Sequence, residues 1–258
     1  CRYVHQENEQ IAVARSVAPA PPPALLCVVD FEATCCAFDS STSPEIPKAE
    51  MEIIELPCLI MDAVTLAPLG RFATFVRPTL HPQLTAFCTE LTGITQEKVQ
   101  NAPDLAGALQ LWEQFLLHNA FLSGVAVTFV TWGAWDLATQ LPRETALKNL
   151  HLPLFLQGPT ICPKCPSLCT CPRFLNAKVL HSQRLQTRPT TLGDAAEALG
   201  LDVGRLHSGA ADVQLIADVL RRVVPHGVWG WGGPAPTRWL MPPTPTAPLP
   251  QFCGHSGL

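Results

Sequence analysis

Asp30 and Glu32 stand two residues apart, directly after the apolar run Leu25-Leu26-Cys27-Val28-Val29. On a strand, side chains at i and i+2 share a face about 6–7 Å apart, so both carboxylates can approach one cation or a pair. Charge placed against an apolar strand is expensive unless it is paired or bound to metal, and a hard divalent cation prefers such oxygen donors. Taken alone, the same Asp-x-Glu also fits a solvated strand end. Asp136 lies in Trp132-Gly133-Ala134-Trp135-Asp136-Leu137, just past a glycine break, where it fits a helix start as well as a ligand. His207-Ser208-Gly209-Ala210-Ala211-Asp212 puts a histidine in a glycine-containing turn and an aspartate in the first turn of the last helix. Asp212 can then face a cation while His207 reaches the same place, close enough to take a proton from water. A turn histidine is equally at home as a surface residue.

These residues need a scaffold. Leu25–Val29 is a short, fully apolar, β-like run, and Met51 to Met61 and Arg71 to Arg77 read as further strands. Ala106 to His118 carries Leu109, Trp112, Phe115 and Leu116 at helical spacing, and Phe121 to Thr131 returns to β-branched, apolar character. Thr191-Leu-Gly-Asp194 is a capping-box variant opening a helix from Leu192 to Leu199, stopped by Gly200. Val213, Ile216, Ala217 and Leu220 give a final helix one apolar face. Strands first, then alternating helix and strand, predict an α/β layered domain with a mixed sheet.

The 258 residues, 47% hydrophobic, suit one domain with tails and exclude disorder throughout. Residues 1–23 read as a proline-rich linker, 24–224 as the domain and 225–258 as a Pro/Gly-rich tail. Trp229, Trp231 and Trp239 make that tail a candidate for docking on a protein partner. The longest apolar stretch, Ala120 to Val130, is broken by polar residues and falls short of the roughly 18–20 needed to span a bilayer, so a soluble protein without a membrane partner is expected. The chain opens on Cys1 without a recognisable leader, which leaves room for a missing N-terminal segment. A net charge of −4 is not that of a protein coating nucleic acid, so any such binding must be local. Eleven cysteines, odd in number and partly inside apolar runs, read as reduced core thiols of a cytosolic or nuclear protein, with a cytoplasmic location expected and the nucleus or nucleolus left open.

In chain order the acids and histidine run Asp-x-Glu, Asp, His-x4-Asp, which resembles the DEDDh exonucleases of the ribonuclease H-like fold. Five blocks extend the likeness: Val29-Asp-Phe-Glu-Ala-Thr-Cys35, Glu52-Ile-Ile-Glu-Leu-Pro57, His81-Pro-Gln-Leu-Thr-Ala-Phe-Cys-Thr-Glu-Leu-Thr-Gly-Ile94, Trp132-Gly-Ala-Trp-Asp-Leu137 and His207-Ser-Gly209. They are similar to the ERI-type 3′-to-5′ exoribonucleases, including the prion-protein-interacting branch, over roughly residues 25–224. The resemblance implies a ribonuclease H-like mixed β-sheet flanked by α-helices. It implies two Mg²⁺ ions, with Mn²⁺ able to substitute, held by Asp30, Glu32, Asp136 and Asp212, and His207 as general base. The substrate would be RNA with a free 3′ end, released as 5′ nucleoside monophosphates. Ala33 and Thr34 would line the terminal nucleotide, with Trp135 as a base-stacking or core-packing residue.

The sequence departs from those relatives in two places. They carry two consecutive aspartates in the last motif, where this chain has Ala211 before Asp212. The region 158–188 reads as an inserted Cys-rich loop, with Cys162, Cys165, Cys169 and Cys171 near His181 open to two readings, a Zn²⁺ site or a reduced loop. Arg173, Lys178, Arg184 and Arg188 follow and fit either RNA phosphates or solvent. No separate RNA-binding module is recognisable, so the substrate stays open among small interfering RNA, messenger RNA and ribosomal RNA ends. Two other functions compete: a DNA-directed exonuclease of the same fold, and a non-catalytic RNA-binding scaffold.

Overall fold

All five residues of Leu25–Val29 are buried, and they form β1 at the centre of a mixed sheet. This computed structural model describes residues 25–37, 46–120, 127–156, 160–162, 165–169, 174–189 and 191–224, with the side chains of 160–162 and 165–169 excepted. The linker, the tail with its three tryptophans, and Arg173 lie outside the described residues, as do the side chains of the four loop cysteines.

On one side β1 pairs antiparallel with β3 (Ile53–Asp62), from Leu25 opposite Asp62 to Val29 opposite Cys58. On the other it runs parallel to β5 (Val127–Thr131). A two-residue strand β2 (Glu32–Ala33) resumes the line of β1, with Glu32 opposite Glu55. β4 (Pro68–Phe75) covers the outer edge of β3, and β8 (Phe174–Asn176) runs parallel along β5. The strand expected at 71–77 therefore starts and stops earlier, because its pairing follows the turn after Asp62, whose carboxylate accepts from Val64 N and Thr65 N. A separate antiparallel hairpin, β6 (Thr160–Cys162) with β7 (Cys165–Cys169), takes up part of the expected Cys-rich loop.

The alternation along β1 divides the core. Leu25, Cys27 and Val29 face α3 (Leu105–Asn119), whose Trp112 meets the edges of Phe31, Phe129 and Phe155. Leu26 and Val28 face α5 (Ala177–Leu185), α6 (Leu192–Ala198) and α7 (Gly209–Val223). Asp30 and Glu32 fall on this second, even-numbered face, so the period of two aims both at α7. α7 turns Val213, Ile216, Ala217 and Leu220 into the same layer, all at 2% exposure or less, as their spacing predicts. The Thr191–Asp194 capping box is present in both directions.

One expectation needs correction. The segment 158–188 is not one loop: it contains the β6–β7 hairpin, the edge strand β8 and the helix α5, which carries Lys178, His181 and Arg184. Asn176 caps α5 by accepting from Val179 N, a signal masked by the surrounding cysteines and basic residues. Two short helices, α1 (Ala86–Thr92) and α2 (Gln96–Gln100), were also hidden among threonines and prolines. Among the described residues no helix is long and apolar enough to cross a membrane.

Candidate active site

Beyond Val29 the sheet loses a partner, since β5 ends at Thr131 while the β1 line continues. Phe31 N, left without a ladder acceptor, donates to Asp136 Oδ1 at 2.8 Å in the interior. This single bond fixes Asp136 beside the Asp30–Glu32 step. Asp136 opens a π-type turn, Asp136–Gln140, that leads into α4 (Leu141–Leu147). The turn is held from β3's side by Gln140 Nε2 on Met51 O (2.8 Å) and by Ile53 N on Glu144 Oε2 (2.7 Å). Lys148 Nζ closes the arrangement between Glu52 (2.8 Å) and Glu144 (2.7 Å), both fully buried. A buried carboxylate pair with a shared ammonium avoids the cost of leaving either charge alone.

Asp212 arrives from the first turn of α7, whose start is pressed onto the sheet. Gly209 N donates to Glu55 Oε2 at 3.2 Å, and a Cβ on Gly209 would stand 2.7 Å from Pro57 Cγ and 3.1 Å from Asp30 O. Only glycine allows that approach. Asp212 Oδ2 accepts from Ser208 N at 3.1 Å, while its Oδ1 is buried with no hydrogen-bond partner.

Asp30, Glu32 and Asp212 each offer an oxygen within 4.8 Å of the others. Asp136 stands outside that trio, one oxygen already committed to Phe31, but it acts on it electrostatically. Burial, then the charges of Asp136, Asp212 and Glu32, hold the Asp30 carboxyl well above its ordinary range. Burial and the neighbouring Asp212, Glu55 and Asp136 push Glu32 up to about 8. Burial raises Asp136 to about 6 against the opposing Phe31 N–H, and raises Asp212 against the Ser208 N–H and His207. Carboxylates that resist ionising together, with a buried oxygen still lacking a partner, fit a hard divalent cation bound in place of protons. Asp30, Glu32 and Asp212 are the residues that could hold it, with Asp136 acting on Asp30 and Glu32 through its charge.

His207 is exposed on the loop before α7 and adopts a left-handed backbone, φ 60°. Trp135 precedes Asp136 and is 37% exposed, more accessible than a core residue. Ala33 and Thr34 are buried, and the Thr34 hydroxyl accepts from Glu52 N at 2.9 Å. His181 stands apart, buried in α5 against the edge of Trp132 with ring centroids 6.0 Å apart.

The sequence reading missed Glu55, Gln140, Glu144 and Lys148. Glu55 lies inside an apolar strand and Glu52 directly before it, the same signal that exposed Asp30, and both could have been found by it. Cys88 of α1 reaches the site's scaffold, its thiol 3.7 Å from Ala33 O.

The chain is 32% identical over 221 residues to ERI1 exoribonuclease 3 of Mus musculus, covering 84% of this chain and 59% of that protein. It is 29% identical over 208 residues to 3′-5′ exoribonuclease 1 of Homo sapiens, covering 78% and 53%. The chain thus spans between half and three fifths of the length of these curated relatives. The crystal structure of the nuclease domain of 3′hExo, a DEDDh family member bound to rAMP, superposes with a TM-score of 0.63 at 28% identity, covering 76% of this chain and 90% of that one. The sheet order and flanking helices are accordingly those of the ribonuclease H-like fold. The family model for exonucleases, RNase_T, matches residues 27–220, from within β1 to the last turns of α7, and takes in every acid of the cluster. By that match this chain belongs to the exonuclease family.

Proposed function

We propose that the chain is a Mg²⁺-dependent 3′-to-5′ exoribonuclease that removes 5′ nucleoside monophosphates from RNA with a free 3′ end. The observation that carries this is the convergence of Asp30, Glu32 and Asp212 within 4.8 Å, with Asp136 locked beside them through Phe31 N. The names of the relatives support RNA as the substrate and the 3′ end as the point of attack. The cysteines Cys27, Cys35, Cys36, Cys58 and Cys88 are free thiols, which supports a reducing, cytoplasmic or nuclear setting.

Asp30, Glu32 and Asp212 would hold a divalent ion, which would supply Lewis acidity toward the phosphate and the attacking water. Asp30, Glu32 and Asp212 hold and orient, and their raised proton affinity keeps the trio from charging fully without a counter-ion. His207 takes the proton from the attacking water, its place on an exposed loop leaving the ring able to reach solvent and pass the proton on. Trp135, exposed and directly before Asp136, offers a ring face to a terminal base.

The test is a 5′-labelled single-stranded RNA incubated with wild type and Asp212→Ala in Mg²⁺ and in EDTA. A descending ladder that needs both Mg²⁺ and Asp212 is expected; a ladder surviving in EDTA or in the variant overturns the proposal. A matched DNA strand degraded faster than the RNA would reassign the substrate, since RNA preference rests on contacts to the 2′-hydroxyl.

A further inference from the structure

The residues on either side of His207 are fastened to the rest of the domain, and the His207 backbone itself hydrogen-bonds Asp212. Gly209 N is tied to Glu55, and Ser208 N to Asp212. Leu206 Cδ1 rests 3.1 Å from where a Cβ on Gly193 of α6 would stand. Arg205 reaches the other way, to α1. Its Nη2 donates to Glu90 O at 3.3 Å. A Cβ on Gly93 would stand 2.7, 2.9 and 3.0 Å from its Nη2, Cζ and Nη1, so the guanidinium fills the space a side chain there would take. Gly93 ends α1 at φ 71°, a left-handed cap that glycine adopts freely, so the helix end and the arginine seat come from the same residue.

His207 itself sits at φ 60°, a conformation unfavourable for a residue with a Cβ and kept only where the surroundings enforce it. Three of the fastenings involve the carboxylate cluster or the apolar layer. Arg205 is different: it is exposed, touches none of the acids, and joins the His207 loop to the helix that packs on Ala33.

We propose that Arg205 is a positioning residue for His207, holding the histidine loop at its working distance by seating its guanidinium on Gly93 and Glu90 O. This rests on reading His207 as the general base. It also gives a role to Gly93 of the His81–Ile94 block, which the carboxylate chemistry leaves unexplained. The competing use of an exposed arginine in a nuclease, a contact to an RNA phosphate, makes different demands. A phosphate contact accepts lysine and acts on KM and on salt dependence, whereas the seat on Gly93 requires the planar fork.

The experiment compares kcat and KM for a single-stranded RNA in Mg²⁺ among wild type, Arg205→Ala, Arg205→Lys, His207→Ala and the double variant Arg205→Ala/His207→Ala. Arg205→Ala and Arg205→Lys should each lose roughly 10- to 100-fold in kcat, the scale of an ångström of misplacement, with KM and its salt dependence unchanged. The rise in Tm on adding Mg²⁺ should match wild type, which shows the carboxylates undisturbed. Removing Arg205 from His207→Ala should cost nothing further, because the two act through one group. Wild-type kcat in both arginine variants, a KM defect cured by lysine, a lost Mg²⁺ response, or an equal loss in the His207→Ala background each overturns the proposal. Failure of the underlying reading shows elsewhere: His207→Ala, with Arg205 in place, would then be as active as wild type.

Discussion

Replacing Glu32 by glutamine removes a charge that the metal-free fold resists. Burial and the neighbouring carboxylates lift Glu32 from 4.5 to about 8, and at 7% exposure solvent does little to relieve it. A carboxyl raised in the folded state stabilises the fold relative to the unfolded chain only while protonated. That contribution is complete below pH 4.5 and is lost as pH rises toward 8. At pH 7 the span from 4.5 amounts to about 3 kcal/mol, at 1.36 kcal/mol per unit. Glutamine keeps the shape and cannot ionise. In EDTA at pH 7, Glu32→Gln should therefore be more stable than wild type by about 3 kcal/mol, or roughly 6–12 °C in Tm for a domain of this size. Its Tm should also fall less steeply between pH 5 and pH 8. Saturating Mg²⁺ should narrow or invert the order, because the ion stabilises wild type through a ligand the variant lacks. Calorimetry across that pH range with EDTA or Mg²⁺ reads all three effects. A variant equal to or less stable than wild type in EDTA at pH 7 would refute the account of a strained, metal-seeking cluster.

Three further outcomes can be measured independently. His207→Ala should keep RNA and Mg²⁺ binding but lose about 10²- to 10⁴-fold in the single-turnover rate, and a wild-type rate would remove the base assignment. Gly209→Ala forces a Cβ against Pro57 and the Asp30 carbonyl; it should cost roughly 1–3 kcal/mol in urea unfolding and depress kcat by shifting Asp212, and neutrality on both counts would contradict the close approach. Trp112→Ala empties the centre of the Phe31, Phe129 and Phe155 cluster and leaves Cys58 without its indole contact, for a loss of about 3–5 kcal/mol by denaturant titration. A loss below 1 kcal/mol would mean the site collapses around the gap.

Much of the domain is written locally. Leu25–Val29 and the apolar face of α7 carry periods that admit one element each, and the capping box needs only Thr191 and Asp194. The clustered acids were legible because charge beside an apolar strand calls for an explanation, and their order along the chain carried the family resemblance. What local pattern could not convey was partnership across distance. Nothing near Lys148 announces that Glu52 and Glu144 will share it, and nothing near Asp136 announces Phe31 N. β8 and α5 were lost for another reason: three strand residues and a weakly amphipathic helix follow a run of cysteines and prolines that dominates the composition. The seat of Arg205 on Gly93 is equally long-range, linking two motifs that look unrelated when read in line.

The bond from Phe31 N to Asp136 means that the acids of this site are not interchangeable as places to silence it. Asp30 and Glu32 are held against their own repulsion, and neutralising either relaxes the scaffold. Asp136 is also a splice, carrying the β1 line past the end of β5. Alanine there strands a buried N–H, at a cost of about 1–3 kcal/mol, whereas asparagine keeps an acceptor in place. An inert protein meant to trap an RNA end intact is better built at Asp30, or with the amide at 136, because truncation at 136 would unpick the strand junction that shapes the trap.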